Sequence, residues 1–590
     1  MHNFGAIHPE EKETLTKAEG QIKNRAAEGS PAPYPANLFD LCSETRIESL
    51  RNSSALHINK GSYVMKKIVP VLSAIFLFGF GLYGYAKTAS AQMQQKSSPP
   101  SEAKEQKPAE QNAEAKEKKS VTDHTVRIGG QTIPYKATAG TIILKDQKGE
   151  PTGSMFYVAY TRSDEKDMSQ RPVSFFYNGG PGSSTVWLHM GAYGPKRIAT
   201  VDAAPTPPAP YKLVDNEDSI LPVSDEVFID AMGTGYSHAL GKTQNKDFWG
   251  VDQDVAAFAQ FIVQYITEND RWNSPKFLIG ESYGTFRSAA LGNYLQSRDD
   301  IDLNGIVLMS SVLDLGTISF YPGEDLAYIL YVPSYTATAC YHKVMSCPSD
   351  INGFLQQSRD FAMGDYAHAL IEGSKLSDAE RQSVAKKLSQ FTGLSTDYVL
   401  KANLRVTLPQ FMQELQRSKG ETTGRLDSRF SGYSNDPLAE FAQGDPQSAA
   451  ISSAYAAAFN QYIRQDLKFE ENRPYEVETF AGGQWDWKHG QGRGFGFPGS
   501  PNVEPDLTEA LIANPNLRVE VENGIYDLAT PFFETEYTMD HLDLPEKLRS
   551  HVQLKYYDSG HMMYVNPSAH AKLKANVTAF IENTLKEQHP

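Results

Sequence analysis

The chain has 590 residues, more than one ordinary domain, so a large core must carry insertions or tails. Apolar residues make up 40% and aromatic residues 11%, which are the values of a globular protein. A formal net charge of −15 argues against a nucleic-acid-binding surface and against a polybasic membrane patch, and is read as a solvated acidic surface.

Near the N-terminus, Met65-Lys66-Lys67 is followed by an apolar run from Ile68 to about Ala86, then by Ala89-Ser90-Ala91. A short basic head, an apolar body and a small-x-small site predict a signal peptide over residues 65–91, cleaved after Ala91. The run is long for a cleaved signal, so retention as an N-terminal anchor is the alternative. The expected location is the periplasm or the extracellular space, with a membrane as partner only if the segment stays attached. Residues 1–64 are polar and precede the basic head. They read as a start codon called too far upstream, or as a cytoplasmic extension. Residues 92–121 are rich in Gln, Lys, Glu, Ala, Ser and Pro and predict a disordered linker, because so little apolar surface cannot offset chain entropy.

The pattern changes near residue 122. Segments starting at Val126, Ala139 and Met155 predict an antiparallel opening, separated by Gly and Asp/Lys turns. Val173–Tyr177, Val227–Ile229, Phe277–Ile279 and Ile306–Met309 are short apolar runs expected as buried strands. Between the second and third, the stripe Val251, Val255, Phe258, Phe261, Ile262, Tyr265, Ile266 predicts an amphipathic helix. Strands alternating with helices imply an α/β fold, a mostly parallel sheet with helices on both faces. The alternation fails from about 316 to 500. There Ser377-x-x-Glu380 predicts a capping box opening a helix toward Phe391, and Trp485, Trp487 and a Gly-rich stretch at 490–499 follow. This region is expected as an inserted, largely helical cap, dividing the core into 122–315 and 501–590. Strands return at Leu517–Val521 and Val552–Tyr556, and a last helix near Ser568.

Three cysteines are few. Cys340 and Cys347, seven apart, form an even pair once the N-terminal Cys42 is set aside, and in an exported protein they predict a local disulfide; two buried thiols are the alternative. Their spacing fits no metal-finger pattern, and neither a metal nor a cofactor is expected.

Gly280-Glu281-Ser282-Tyr283-Gly284 matches G-x-S-x-G. Such a match alone arises by chance about once in five chains of this length. Here a strand precedes it and a helix from Thr285 to Leu295 follows, the context of a nucleophile elbow in an α/β-hydrolase. A serine hydroxyl attacks only when a base takes its proton. In this fold the acid and base follow in the order Asp, His, and Asp527 and His561 each stand just past a predicted strand. His561 is the expected base and then acid, and Asp527 orients its ring. Asn178-Gly179-Gly180-Pro181-Gly182-Ser183-Ser184 follows another strand. It is read as an oxyanion loop, with the N–H groups of Gly180 and Tyr283 as donors.

These segments resemble the serine carboxypeptidase family. Asn178–Ser184, Gly280–Gly284, Asn523–Asp527, Gly560-His561-Met562 and Asp230-x-x-Gly233-x-Gly235-Tyr236-Ser237 are similar to its motifs and occur in its order, over roughly 122–590. The resemblance implies an exopeptidase acting on a peptide or protein with a free C-terminus, often best at acidic pH. It implies that Asn178 and a protonated Glu281 hold the terminal carboxylate, with Gly179 in the same substrate-binding set and Met562 lining the leaving-residue pocket. A carboxyl facing a carboxylate must be neutral to donate. One position departs: where the family carries a second glutamate before a Gly-Pro, this chain has Ala192, so carboxylate recognition rests on Asn178 and Glu281 alone or draws on the nearby His189 or Arg197, each of which reads first as an ordinary surface or packing residue. An esterase or acyltransferase using the same triad therefore stays open, as does a non-catalytic binding protein on a hydrolase scaffold.

Overall fold

The structure, a computed structural model, describes residues 116–479, 481–490 and 500–588. The expected signal segment, the extension before it, most of the expected linker and nearly all of the Gly-rich stretch lie outside these residues.

The chain opens as an antiparallel meander of β1 (Lys119–Ile128), β2 (Gln131–Lys145) and β3 (Pro151–Arg162). Gly129 and Gly130 join β1 to β2 with φ of +56° and +81°, which only glycine adopts at no steric cost. β1 starts at Lys119 rather than after the linker. The last three linker residues pair through their backbones, Lys119 with Gly140 and Val121 with Thr138, and an edge strand needs no apolar side chains to do so.

Then come β4 (Val173–Tyr177), β5 (Asp225–Ile229), β6 (Lys276–Glu281), β7 (Gly305–Met309), β8 (Arg518–Gly524) and β9 (Val552–Tyr557). The order across the main sheet is β1-β2-β3-β5-β4-β6-β7-β8-β9, parallel from β5 onward. β4 to β7 are buried throughout, which is why they read as continuous apolar runs. Alternate residues feed two cores. Phe175, Tyr177, Leu278, Ile306, Val519 and Val521 face one side, against α1 (Val251–Glu268) and α2 (Tyr283–Asp299). Phe176, Phe277, Ile279, Val307 and Met309 face the other, together with Leu573, Val577 and Ile581 of the final helix Pro567–Gln588.

The long segment between β7 and β8 supplies most of a third core, with Tyr335, Leu388 and Phe411, which Phe532 joins from beyond β8. Its helix α3 (Asp378–Thr392) opens on the expected capping box: the Glu380 N–H donates to Ser377 Oγ, and the Ser377 N–H to Glu380 Oε2. The reading of the whole of 316–500 as a cap needs correction. Helix α4 (Pro446–Gln465) puts Ile451, Tyr455, Phe459, Tyr462 and Ile463 into the sheet's own core, beside Leu188 and Phe228. An apolar helical stripe does not say which apolar surface it will cover. Cys340 and Cys347 are joined by a disulfide in this segment.

Candidate active site

β6 ends at Glu281 and α2 begins at Tyr283, so one residue makes the turn between strand and helix. That residue, Ser282, has φ 61° and ψ −129°, a strained conformation for a side chain with a Cβ. Its N–H donates to the Met309 carbonyl at 2.9 Å, which ties the turn to the end of β7. The glycines on both sides are required by packing: a Cβ on Gly280 would stand 2.2 Å from the Gly284 carbonyl oxygen, and one on Gly284 2.8 Å from that of Tyr177.

The loops after β8 and β9 bring Asp527 and His561 together. His561 Nδ1–H donates to Asp527 Oδ2 at 2.7 Å. The carboxylate also accepts the Ala529 N–H at 2.7 Å, the Thr530 N–H at 3.0 Å and the Thr530 hydroxyl at 2.8 Å, so it is fully engaged. The His561 carbonyl accepts the Ser310 hydroxyl at 2.7 Å, one residue beyond the Met309 that holds Ser282. Burial works against a charged ring; the charge and hydrogen bond of Asp527 outweigh it, and the imidazole is held above its ordinary value. Ser282 Oγ makes no hydrogen bond among the described residues, and in unliganded sites such bonds often tighten only around substrate.

The glycine loop after β4 lies against the elbow. A Cβ on Gly179 would come within 2.4 Å of the Tyr283 nitrogen, and Gly180 has φ +107°. Among the described residues neither the Gly180 nor the Tyr283 N–H donates to the protein, and Tyr283 is the first residue of a helix, whose N–H groups lack intrahelical acceptors. Two buried devices hold this loop, of which the sequence pointed to the Asp230 stretch and gave no sign of Arg287. Arg287 donates to the Asn178 carbonyl at 2.8 Å while paired with Asp254 of α1 at 2.6 Å, and its guanidinium lies 4.3 Å from the Phe258 ring centre. Asp230 accepts the Thr185 N–H and the Tyr475 hydroxyl, each at 2.9 Å, which explains the Asp230 stretch in the sequence. The side chain of Tyr283 is flanked by Trp485 and Trp487.

Asn178 and Glu281 also meet: Asn178 Nδ2 donates to Glu281 Oε1 at 2.7 Å, and Asn178 Oδ1 accepts the Leu188 N–H. Glu281 is 2% exposed. Burial pushes its carboxyl up to about 7, against the opposing pull of the nearby His561. Its Oε2 makes no short hydrogen bond among the described residues, but the Tyr564 hydroxyl stands close enough to favour its charged form, less than burial disfavours it. A Cβ on Gly191 would strike the Tyr455 hydroxyl at 2.3 Å and the Tyr564 ring at 2.6 Å, so two tyrosines crowd the chain next to Ala192. Met562 is buried in the same core cluster as these tyrosines. His189 does not replace the missing glutamate. It stacks on Phe228 at 4.4 Å, its Nε2 is hydrogen-bonded to the Tyr160 hydroxyl at 2.6 Å, and burial pushes it down to about 3, so it stays neutral. Arg197 lies on the ribbon that Lys196–Ile198 makes with Leu213–Asp215.

A strand–serine–helix elbow beneath a hydrogen-bonded Asp–His pair, on a mostly parallel sheet, defines an α/β-hydrolase of the serine hydrolase class. A model of the serine carboxypeptidase family matches residues 129–573, most of the chain, and the chain belongs to that family. Among solved structures it is similar to a prohormone-processing carboxypeptidase from Saccharomyces cerevisiae, with 15% identity, 77% of this chain and 92% of that one covered, and a TM-score of 0.49. It is also similar to a lipase in an open form, at 12% identity, 75% and 98% coverage and a TM-score of 0.33. Comparison with curated proteins gave no match.

Proposed function

We propose that the protein is an exported serine-type carboxypeptidase that removes C-terminal residues through an acyl-enzyme. Ser282 Oγ attacks the last peptide carbonyl as His561 Nε2 takes its proton. The N–H groups of Gly180 and Tyr283 receive the oxyanion; losing one such donor costs about 3 kcal/mol of transition-state stabilisation. His561 then protonates the leaving amine and next activates water against the ester, while Asp527 holds the ring and balances its charge. Asn178, Gly179 and Glu281 receive the terminal carboxylate, and Met562 borders the leaving residue. The single observation carrying this reading is the 2.7 Å bond from His561 to Asp527, made between the two loops that follow β8 and β9. Export is supported by the Met65–Ala91 segment and by the Cys340–Cys347 disulfide, a bond that persists in oxidising compartments.

An esterase or acyltransferase is the second reading, favoured by Ala192 and by the burial of Glu281, which leave carboxylate recognition without its paired acid. Blocked peptides with free and with amidated C-termini separate the two. A carboxypeptidase releases the last residue only from the free form. Equal turnover of both, or ester cleavage with no peptide cleavage, would sink the first reading. Ser282→Ala is expected to lower kcat about 10⁴-fold or more with either substrate class. Full activity in that variant would overturn the site itself.

A further inference from the structure

The acid and base loops are joined by a third segment, from the insertion. Residues 425–429 belong to no helix or strand, yet each of them bonds to one loop or the other. The Arg425 carbonyl accepts the N–H of Leu528, next to Asp527, at 3.0 Å, and the Ser428 N–H donates to the Tyr526 carbonyl at 2.9 Å. On the other side, the Leu426 carbonyl accepts the His561 N–H at 2.6 Å and Asp427 Oδ2 accepts the Gly560 N–H at 3.1 Å. Arg429 Nη2 lies 2.6 Å from Asp427 Oδ2, 3.2 Å from the Ser559 hydroxyl and 2.9 Å from Asp202 Oδ1, and its Nη1 donates to Asp202 Oδ2 at 3.3 Å. The segment is anchored in turn: the Ser428 hydroxyl is hydrogen-bonded to that of Thr338, and the Ser428 carbonyl to His342 Nε2, both from the insertion.

We infer that this segment is a clamp that sets where the base stands, with Asp427 as a positioning residue acting through the Gly560 and His561 backbone. Three observations carry it. Gly560 must lack a side chain for the clamp to seat, since a Cβ there would lie 2.4 Å from Asp427 Cβ and 2.5 Å from the Leu426 carbonyl oxygen. With Leu426 on its N–H and Ser310 on its carbonyl, the His561 backbone is held from both sides, so its ring keeps only side-chain torsions, which Asp527 fixes. Lastly, Asp427 and Arg429 form a buried ion pair, and such a pair stabilises a fold little better than an apolar pair of the same volume. Its gain is directional: it aims a carboxylate oxygen at one N–H of the base loop. A helical insertion far along the sequence thereby becomes part of the acid–base machinery.

The inference rests on His561 being the general base. A fluorophosphonate that labels the wild-type protein but not Ser282→Ala checks that reading separately. The clamp is tested with Asp427→Asn, Arg429→Gln and Asp202→Asn, assayed on a blocked peptide from pH 4 to 9. Asp427→Asn is expected to lower kcat about tenfold to a hundredfold, the cost of a misplacement near 1 Å, with KM within about threefold. The acid limb of kcat/KM should move in opposite directions. In Asp427→Asn the Arg429 cation keeps only Asp202 as its counter-charge, so positive charge beside the base loop rises and the limb moves to lower pH. In Arg429→Gln the Asp427 charge is left uncompensated, and the limb moves to higher pH. The other groups facing His561 are Asp527, Glu281 and Arg425, and those facing the pair are Asp202, Tyr341 and Tyr526; all are common to wild type and these two variants. A part that only stabilised the fold would change melting temperature and active fraction, not the limb. If both central variants fail to fold, Asp202→Asn decides, since that side chain is 35% exposed. It should move the limb to lower pH by a smaller amount. Unchanged limbs and unchanged kcat in the folded variants would overturn the clamp.

Discussion

Glu281 stands beside Ser282 in a buried site, with one oxygen bonded to Asn178 and the Tyr564 hydroxyl close by. A carboxyl without water prefers its neutral form, and this one is pushed up to about 7. Only the neutral form can donate to a substrate carboxylate. KM for peptides with a free C-terminus is therefore expected to be low and flat below pH 7 and to rise above it, while ester substrates without a carboxylate show no such rise. Glu281→Gln, neutral at every pH, should flatten the curve. Initial rates from pH 5 to 9 measure this, and an unchanged rise in the variant would remove Glu281 from substrate binding. Tyr455 and Tyr564 lie close enough to feel its charge, so under the proposed function Glu281 is the one carboxyl set against the substrate's C-terminus.

At the scale of elements, the elbow and the glycine loop approach each other so closely that only backbone fits between them. Gly179→Ala places a methyl 2.4 Å from the Tyr283 nitrogen, and something must yield. Because that nitrogen is a proposed oxyanion donor, kcat is expected to fall about 100-fold with a smaller change in KM, as steady-state kinetics on a folded, fluorophosphonate-titrated sample would show. Wild-type kcat in Gly179→Ala would refute the loop's role. Such contacts were legible in the sequence as glycines at fixed offsets from a strand. The inner strands were legible because burial on both faces leaves unbroken apolar runs, and α1 because its apolar stripe holds its period. Other features left no such trace. Arg287, Asp254, Asp427 and Arg429 look in sequence like ordinary surface charges, since nothing local shows that Arg287 meets Asp254 from 33 residues away, Asp427 meets Gly560 from 133 and Arg429 meets Asp202 from 227. The destination of α4 was hidden for a similar reason: Tyr455 and Phe459 would serve equally well under a cap or on a sheet.

For the molecule as a whole, buried carboxyls set the response to pH. Burial pushes Asp230 up to about 7 and Glu534 up to about 8, and raises Glu226 and Glu522 well above the ordinary carboxylate range. Each binds its proton more tightly folded than unfolded. Their stabilisation is therefore complete below the ordinary value near 4 to 4.5 and is lost as pH rises through the folded values. Glu471, partly buried but held down to about 2 by Lys118 and Arg473, works the opposite way: its contribution is full above about 4.5 and is lost as pH falls from there toward 2. The melting temperature is expected to peak near pH 5 and to fall steadily from pH 6 to 9. Glu534→Gln should reduce the slope. Calorimetric scans across that range test it, and a melting temperature that climbs toward pH 9 would contradict it.

Arg287 grows from the same helix that Ser282 opens, yet it grips the carbonyl of Asn178 and the carboxylate of Asp254. Nucleophile, glycine loop and α1 are thus riveted into one rigid body by a single cation. Heat cannot pry the loop from the serine without first pulling that cation from its partners inside the core. Thermal inactivation should then have no local forerunner: on warming, activity and the far-UV signal of the fold should vanish together.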